Sequence, residues 1–565
     1  MLPAKTRWQV APTDPLKVQQ CCEHYDLHFL LAKVCVARKF NNHQIDSYLK
    51  GATIFHDPFL MNGMQLAVSR IQQAIRAREQ ILIYGDYDVD GVSATALMVR
   101  LLQLLDAKFE YRIPHRQNEG YGLHSHIIEQ AHQQGISLII TVDTGISANA
   151  EAAMARQLGM DLIITDHHEP PEQLPDAYVI LNPKCTDCHY PFRELSGSGV
   201  AFKLAHALLG RLPEQFICYA ALGTIADVML LIQENHSIVK LGLEQLRNAP
   251  PSGIAALLEE AGVSRQQLSS QTIGFTIAPR MNAAGRLGEA DQAVRLLITD
   301  DAVESSQIAT RLNMLNKERQ QLVQSTTNEA IAMIEATGGP SNAIVVSSDQ
   351  WNPGIIGIVA ARLIEKYFVP SLVIAIDPLT NIGKGSARSV PNFNLFEAIK
   401  ASAEWLEEYG GHDSAAGLSI RRDQIEPFTM HFSREVAKHL KQEHRQPTLS
   451  ADATIVIREA TVEAIKQLDA LAPFGAEHSL PLFHLHQCQI SEWKLVGKEQ
   501  NHLKLKLSDP SGTLDAMVFR YGDSKLRIAK DARVSVIGEL SINEWNDRQT
   551  PQLIVKDIII GSEET

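Results

Sequence analysis

Long apolar runs are missing from this sequence. Nowhere do about 18 consecutive apolar residues stand together, the length a bilayer-spanning helix needs, so a membrane span is excluded. Cysteine is scarce, seven in 565 residues and an odd number, which argues against a disulfide framework and suggests a reducing, cytoplasmic setting. The opening Met1-Leu2-Pro3-Ala4-Lys5-Thr6-Arg7 has no apolar stretch behind its basic residues, so no secretory signal is expected. Positive charge is also short: 52 Lys and Arg stand against 65 Asp and Glu, a formal net charge of −13. That argues against coating nucleic acid through bulk charge. It leaves room for a nuclease, whose grip is local and whose centre is itself acidic. Internal repeats and low-complexity tracts are lacking too.

What is present is an ordinary globular composition, 45% hydrophobic and 21% charged, long enough for three or four domains of about 100–200 residues. Residues 1–50 are mixed, with a helix-like stretch over 26–38 and no visible chemistry. From residue 80 the aliphatic runs Ile81-Leu82-Ile83-Tyr84, Leu138-Ile139-Ile140-Thr141-Val142 and Leu162-Ile163-Ile164-Thr165 alternate with helical patterns over 93–105, 124–134 and 149–158. Buried strands alternating with helices predict an α/β fold with a doubly wound parallel sheet. Residues 199–260 read as mostly helical, and 302–336 as one long polar helix between globular parts. A second αβ unit starts at Ala343-Ile344-Val345-Val346-Ser347, and Arg445-Gln446-Pro447-Thr448 looks like a linker. Beyond it, short strands at 503–507, 516–519, 534–537 and 553–555 predict a small β-barrel of the kind that includes OB folds. The expected organisation is an N-terminal segment 1–50, a first αβ domain 51–300, a connecting helix 301–338, a second αβ domain 339–445 and a barrel 446–565.

The chemistry is concentrated in acidic residues. In Gly85-Asp86-Tyr87-Asp88-Val89-Asp90-Gly91, three alternating carboxylates share one face of an extended segment and repel at short range. A hard divalent cation relieves this; the alternative is an Asp-rich loop capping the next helix. The next two runs end in Val142-Asp143-Thr144-Gly145 and Thr165-Asp166-His167-His168. In a parallel sheet these ends open on one rim, where ligands of doubly wound folds bind. Asp227, in the apolar Gly223-Thr224-Ile225-Ala226-Asp227, is a further contributor. Singly each is a cap or a turn residue; together, after successive strands, they make a metal site.

These four segments, in order, resemble the motifs of the DHH phosphoesterase family, and the resemblance reaches into its single-strand-specific DNA exonuclease branch. It is carried by Pro114-His115-Arg116, Gly120-Tyr121-Gly122, Asn182-Pro183, Gly197-Ser198-Gly199-Val200-Ala201-Phe202 and Pro279-Arg280-Met281-Asn282-Ala283-Ala284-Gly285-Arg286. Further on it includes Trp351-Asn352-Pro353-Gly354, Lys384-Gly385-Ser386-Ala387-Arg388-Ser389, Gly410-Gly411-His412 with Ala415-Ala416-Gly417, Leu471-Ala472-Pro473-Phe474-Gly475 and His502-Leu503-Lys504, so it covers roughly residues 50 to 560. Three positions depart from the usual pattern: Asn352 replaces a His, Thr144 an Asn, and Met229-Leu230-Leu231 the common Val-Pro-Leu. None removes a carboxylate or histidine of the four core motifs.

The resemblance implies a DHH domain and a DHHA1-type domain joined by the long helix, with two Mn²⁺ or Mg²⁺ ions at the rim. Asp143 would bridge the ions, Asp88 and Asp86 serve one, and Asp90, His167 and Asp227 the other. His168 would donate to the phosphate, and Asp166 would orient His167 by accepting its ring N–H. Gly410, Gly411 and His412 would let a phosphate approach, with Arg280, Arg286 and Arg388 as phosphate contacts. Arg116 with Ser386 and Arg388 would hold a 5′ phosphate. On the barrel, Lys498, His502, Lys504 and Lys506 form a basic strand, and Trp493 and Trp545 offer stacking faces, whereas Phe519 is expected in the barrel core.

The implied activity is hydrolysis of single-stranded DNA from the 5′ end to mononucleotides, in DNA recombination and repair. The enzyme would be a cytoplasmic monomer, supplied by a single-strand-binding protein and a helicase. Two alternatives stand beside it. A DHH phosphodiesterase of short oligonucleotides or cyclic dinucleotides would be shorter and lack the barrel. A non-catalytic single-strand-binding module would have lost metal ligands, and none is missing. Cys185-Thr186-Asp187-Cys188-His189 matches the c-type haem pattern but lacks an export signal, and no second Cys or His pair stands at zinc spacing; Cys188 reads as packing. His124, His126 and His132 read as the wet side of a helix.

Overall fold

The computed structural model describes residues 6–116, 119–441, 444, 446–497, 499–519, 532–546 and 548–560. Lys498 of the expected basic strand and Arg445 of the expected linker lie outside the described residues.

The first sheet is parallel throughout and runs in the order Lys108–Arg112, Gln80–Gly85, Leu138–Val142, Asp161–Thr165, Val179–Leu181. Side-chain alternation splits its strands between two cores. Ile81 and Ile83 join the core of the helices Val89–Leu104 and Gly197–Leu209, while Leu82 and Tyr84 join that of Ser125–Gln133 and Asn149–Gln157. Both faces are covered, which is why these strands read as unbroken aliphatic runs. Helices Ile217–Ala226 and Gln233–Asn248 add a further helical layer.

Helix Ala302–Ala336 begins at an Asp301 cap whose side chain accepts the Val303 and Glu304 N–H groups. Its 35 residues span about 52 Å at ~1.5 Å per residue. Ile308, Ala309, Leu312 and Leu315 sit in the core of the first domain, and Val323, Ala330 and Ile334 in that of the second. The helix therefore fixes the two against each other. The second sheet runs Glu408–Gly411, Ala415–Arg421, Ile382–Arg388, Ser371–Ile376, Ile344–Ser348; only the last pair is parallel.

The C-terminal strands Leu482–Val496, His502–Asp509, Gly512–Val518, Arg548–Ile560 and Arg533–Trp545 close into a barrel, because Leu482–Gln489 also pairs with Arg533–Glu539. The N-terminal segment belongs with it. Strand Arg7–Val10 pairs in parallel with Thr448–Ala451, so the expected linker is in part a strand. The expected helix over 26–38 is Phe29–Ala37; a further helix, Pro15–Tyr25, precedes it and ends where Asp26 takes a left-handed conformation, φ 54°. Leu30, Leu31, Val34, Cys35 and Ile45 then share one core with the barrel. Lys33–Glu459 and Arg38–Asp452 ion pairs flank that seam at 2.8 and 2.7 Å.

Candidate metal centre and cleft

The acidic residues stand where the sheet ends. Asp86 follows Gln80–Gly85, and Asp88 caps helix Val89–Leu104 by accepting the Asp90 and Gly91 N–H groups at 2.9 and 3.1 Å. Asp90, in the first helical turn, reaches across to another helix. It accepts the Gly197 N–H at 2.6 Å and the Ser198 N–H at 3.0 Å, the free donors at the start of Gly197–Leu209. Asp143 follows Leu138–Val142 with φ 62°, a left-handed backbone that a short polar side chain tolerates. Asp227 ends helix Ile217–Ala226.

Ligand atoms within 4.8 Å of one another fall into three groups among the described residues: Asp86, Asp88 and Asp143; Asp90, His167 and Asp227; and Asp143, His167 and His168. His167 Nε2 lies 3.1 Å from Asp143, 3.6 Å from Asp227 and 3.8 Å from Asp90. Asp143 and His167 each belong to two groups, so the pockets are contiguous. Asp86 Oδ1, Asp143 Oδ1 and His167 Nδ1 are buried with no hydrogen-bond partner. Orphaned buried carboxylate oxygens are costly unless a cation faces them, and oxygen-rich sets with a histidine suit Mn²⁺ or Mg²⁺.

The electrostatics agree. Burial and then Asp88 push the Asp86 carboxyl well above its usual range; burial with Asp90, Asp88, Asp86 and Asp227 does the same to Asp143. Asp227 is raised to about 8 by burial and by Asp90 and Asp88. Burial and mutual repulsion thus favour the protonated carboxyls, and a cation bound among them would take the place of those protons.

The two histidines of the triplet part company, which corrects the expected role of Asp166. Its carboxylate does not meet the His167 ring; it accepts from His168 Nδ1 at 2.7 Å. The same Oδ1 also takes the His167 and His168 N–H groups at 2.7 and 3.1 Å. The chain curls around this carboxylate, so the ring two residues on lies beside it while the adjacent ring turns to Asp143, Asp90 and Asp227. Burial would lower the His168 pKa, but its bond and charge interaction with Asp166, then Asp227 and Asp86, carry it up to about 9. Asp166 stays below the usual range: the His168 ring and the Ile146 N–H outweigh its burial.

Arginines face the carboxylates. The Arg116 guanidinium stacks over the Tyr87 ring at 4.8 Å. Arg286 donates to the Gly354 carbonyl at 3.1 Å, and Arg388 to Ser386 Oγ at 3.2 Å. Burial, with Arg116, Arg319 and Arg388 nearby, lowers Arg286 to about 10. Cations crowded in this way favour an anion among them, and guanidinium forks match phosphate oxygens. Arg280 is turned elsewhere, donating to Thr276 O and Asn313 Oδ1 against the long helix. Asn352 accepts the Gly354 N–H at 2.7 Å, so the departure from His leaves a turn residue under the carbonyl that holds Arg286.

Gly410 and Gly411 lie on the exposed edge strand of the second domain. His412 crosses the cleft, lining a cavity of about 360 Å³ with Tyr121, Thr144, Gly145 and His168. Tyr121 was not singled out from sequence as a site residue, yet its hydroxyl is 3.1 Å from His168 Nδ1. Arg319 was missed as well, since one arginine on a polar helix gives no signal. On the barrel, Trp493 and Trp545 are exposed, and so is Phe519, contrary to expectation: it follows the end of strand Gly512–Val518 and meets the edge of His502. Lys504 and Lys506 are ion-paired with Asp515 and Glu492. Cys185 and Cys188 are buried in the first core, in none of the three ligand groups.

A parallel sheet whose rim carries paired carboxylate groups, faced by a second αβ domain bearing a glycine–histidine edge, defines a DHH-type phosphoesterase. Family models agree along the chain: the DHH family N-terminal domain matches residues 80–231, the DHHA1 domain 341–438 and the RecJ OB domain 451–557. The single-stranded-DNA-specific exonuclease RecJ of Bacillus subtilis (strain 168) is 41% identical over 564 residues, 99% of this chain and 72% of that protein. That of Escherichia coli (strain K12) is 33% identical over 88% of this chain and 90% of its own length. The crystal structure of RecJ in complex with Mn²⁺ from Thermus thermophilus superposes with a TM-score of 0.85 at 28% identity, covering 99% of this chain and 80% of that one. The chain belongs to the RecJ family.

Proposed function

We propose that this protein is a metal-dependent exonuclease that degrades single-stranded DNA from the 5′ end to mononucleotides, in recombination and repair. The observation that carries the reading is the set of buried carboxylate oxygens without hydrogen-bond donors, at one rim, opposite a cluster of guanidiniums. Asp86, Asp88 and Asp143 would hold one Mn²⁺ or Mg²⁺ ion, and Asp90, His167 and Asp227 the other, with Asp143 beside His167 where the two groups meet. Bound there, the pair supplies water activation and charge neutralisation for phosphodiester hydrolysis.

The rest is done by the chain. His168, kept protonated by Asp166, donates from its free ring nitrogen to the phosphoryl oxygen. Arg116, Ser386 and Arg388 grip the 5′ phosphate, Arg286 supports them, and Gly410, Gly411 and His412 close on the phosphate from the second domain. The barrel's Trp493, Phe519 and Trp545 stack bases without regard to sequence. No helix among the described residues is long and apolar enough to cross a membrane. The protein works in the cytoplasm as a monomer, on strands delivered by a helicase and a single-strand-binding protein.

The test is a 5′-labelled oligonucleotide with Mn²⁺, single-stranded and duplex, with wild type and Asp143→Ala. Release of labelled mononucleotide from single strands alone, lost by at least a thousandfold in the variant, is expected. Binding without cleavage by wild type, or cleavage of dinucleotides only, would refute it.

A further inference from the structure

We propose that the C-terminal domain completes the metal centre: its loop Leu471–His478 positions Asp227, so that one of the two ions depends on that domain being docked. The inference rests on the two-ion reading above. Asp90 and His167, the other members of Asp227's group, are fixed from within the first domain. Asp90 is held by the Gly197 and Ser198 N–H groups, and His167 follows a central strand. Asp227 is different. It caps the end of helix Ile217–Ala226, Val228 after it has φ 57°, and the segment that follows forms no regular element.

That segment is tied from outside. Leu230 and Ala476 form a backbone bridge, and the Leu231 N–H donates to the Ala476 carbonyl at 3.0 Å. Gly475 packs so closely on Leu231 that a Cβ there would stand 2.6 Å from Leu231 Cδ1. A second tie, Ser270 Oγ to the Phe474 carbonyl, is 2.5 Å long. The loop that makes these contacts is braced. Gly475 and His478 exchange backbone bonds at 2.9 and 3.2 Å, and His478 Nε2 meets the Leu471 carbonyl at 2.6 Å. His478 is sandwiched between Tyr48 of the N-terminal segment and Phe474, with His236 of the first domain edge-on at 5.4 Å. All three parts of the chain meet here, and only three residues separate Leu231 from the ligand Asp227. The Asp86, Asp88 and Asp143 group has no such dependence: each of its members leaves a strand or caps a helix of the first domain.

The test is Mn²⁺ titration of the full chain by calorimetry and by electron paramagnetic resonance, for wild type and Gly475→Val. The branched side chain wedges Leu231 outward and touches no ligand. Two ions are expected in wild type. In the variant one should bind about tenfold or more weakly and the other unchanged, with the metal-free melting temperature within a few degrees. A destabilised fold would weaken both ions alike. Should Gly475→Val not accumulate, Leu231→Ala combined with Ser270→Ala thins the same seam and is read in the same way. Two ions held with wild-type affinity, or both weakened equally, overturns the inference. Failure of wild type to bind two ions instead refutes the two-ion centre itself.

Discussion

Replacing Gly197 by alanine puts one methyl group between acidic residues that come from different strands. A Cβ at Gly197 would stand 2.3 Å from Asp143 Oδ1 and 2.6 Å from its Cγ, where ordinary contact begins at 3.4 Å. The neighbour is the carboxylate shared between two ligand groups, held by a buried backbone that has little room to yield. Either Asp143 or the start of helix Gly197–Leu209 must move by about 1 Å. If the helix moves, the 2.6 and 3.0 Å bonds that fix Asp90 go with it. Metal–oxygen distances tolerate a few tenths of an ångström, and ~1 Å of misplacement in a reacting assembly costs about a hundredfold in rate. Overpacking of a dense core adds roughly 1–3 kcal/mol of destabilisation. The variant should therefore lose about two orders of magnitude in kcat on single-stranded DNA with Mn²⁺. Mn²⁺ affinity should fall in parallel, and a folded transition should survive on melting. Cleavage within twofold of wild type, at unchanged Mn²⁺ affinity, would show that the approach of Gly197 to Asp143 has no bearing on the centre.

Asp166→Asn should move the alkaline limb of the pH–rate profile. With the carboxylate gone, His168 falls from about 9 toward its ordinary ~6.5, so activity is lost as pH rises through 7 instead of 9; an unshifted limb would exclude His168 as the donor. Chelated protein should melt at higher temperature as pH is lowered from 8.5 to 6. Asp227 at about 8, with Asp86 and Asp143 also raised, takes up protons that the unfolded chain would release, so the folded state gains stability below those values and loses it above. Scanning fluorimetry with Mn²⁺ present should flatten this slope, since cations replace the protons; equal slopes in both conditions would argue against carboxylates that bind them.

The acidic rim was legible because its logic is linear. An aliphatic run followed by Asp marks a strand end, and parallel strands bring such ends together whatever lies between. Which histidine Asp166 would hold was not legible, because it depends on how the backbone curls after the strand, a matter of three N–H groups around one oxygen. Phe519 read as core from its apolar neighbours, yet it falls just past the strand, where alternation no longer buries it. The pairing of Arg7–Val10 with Thr448–Ala451 left no periodic trace, since each strand has four residues and the partners are hundreds of positions apart.

That last pairing has a cost during synthesis. Leu30, Leu31 and Val34 leave the ribosome early, but the surface that buries them is not made until Ala453 and beyond. At about 5–20 residues per second the interval is roughly 20 to 80 s. For that time an apolar helix, Phe29–Ala37, waits while the rest of the polypeptide folds beside it. The nascent chain thus carries a sticky leading end, and chaperone demand should peak there, in a stretch that contributes none of the chemistry.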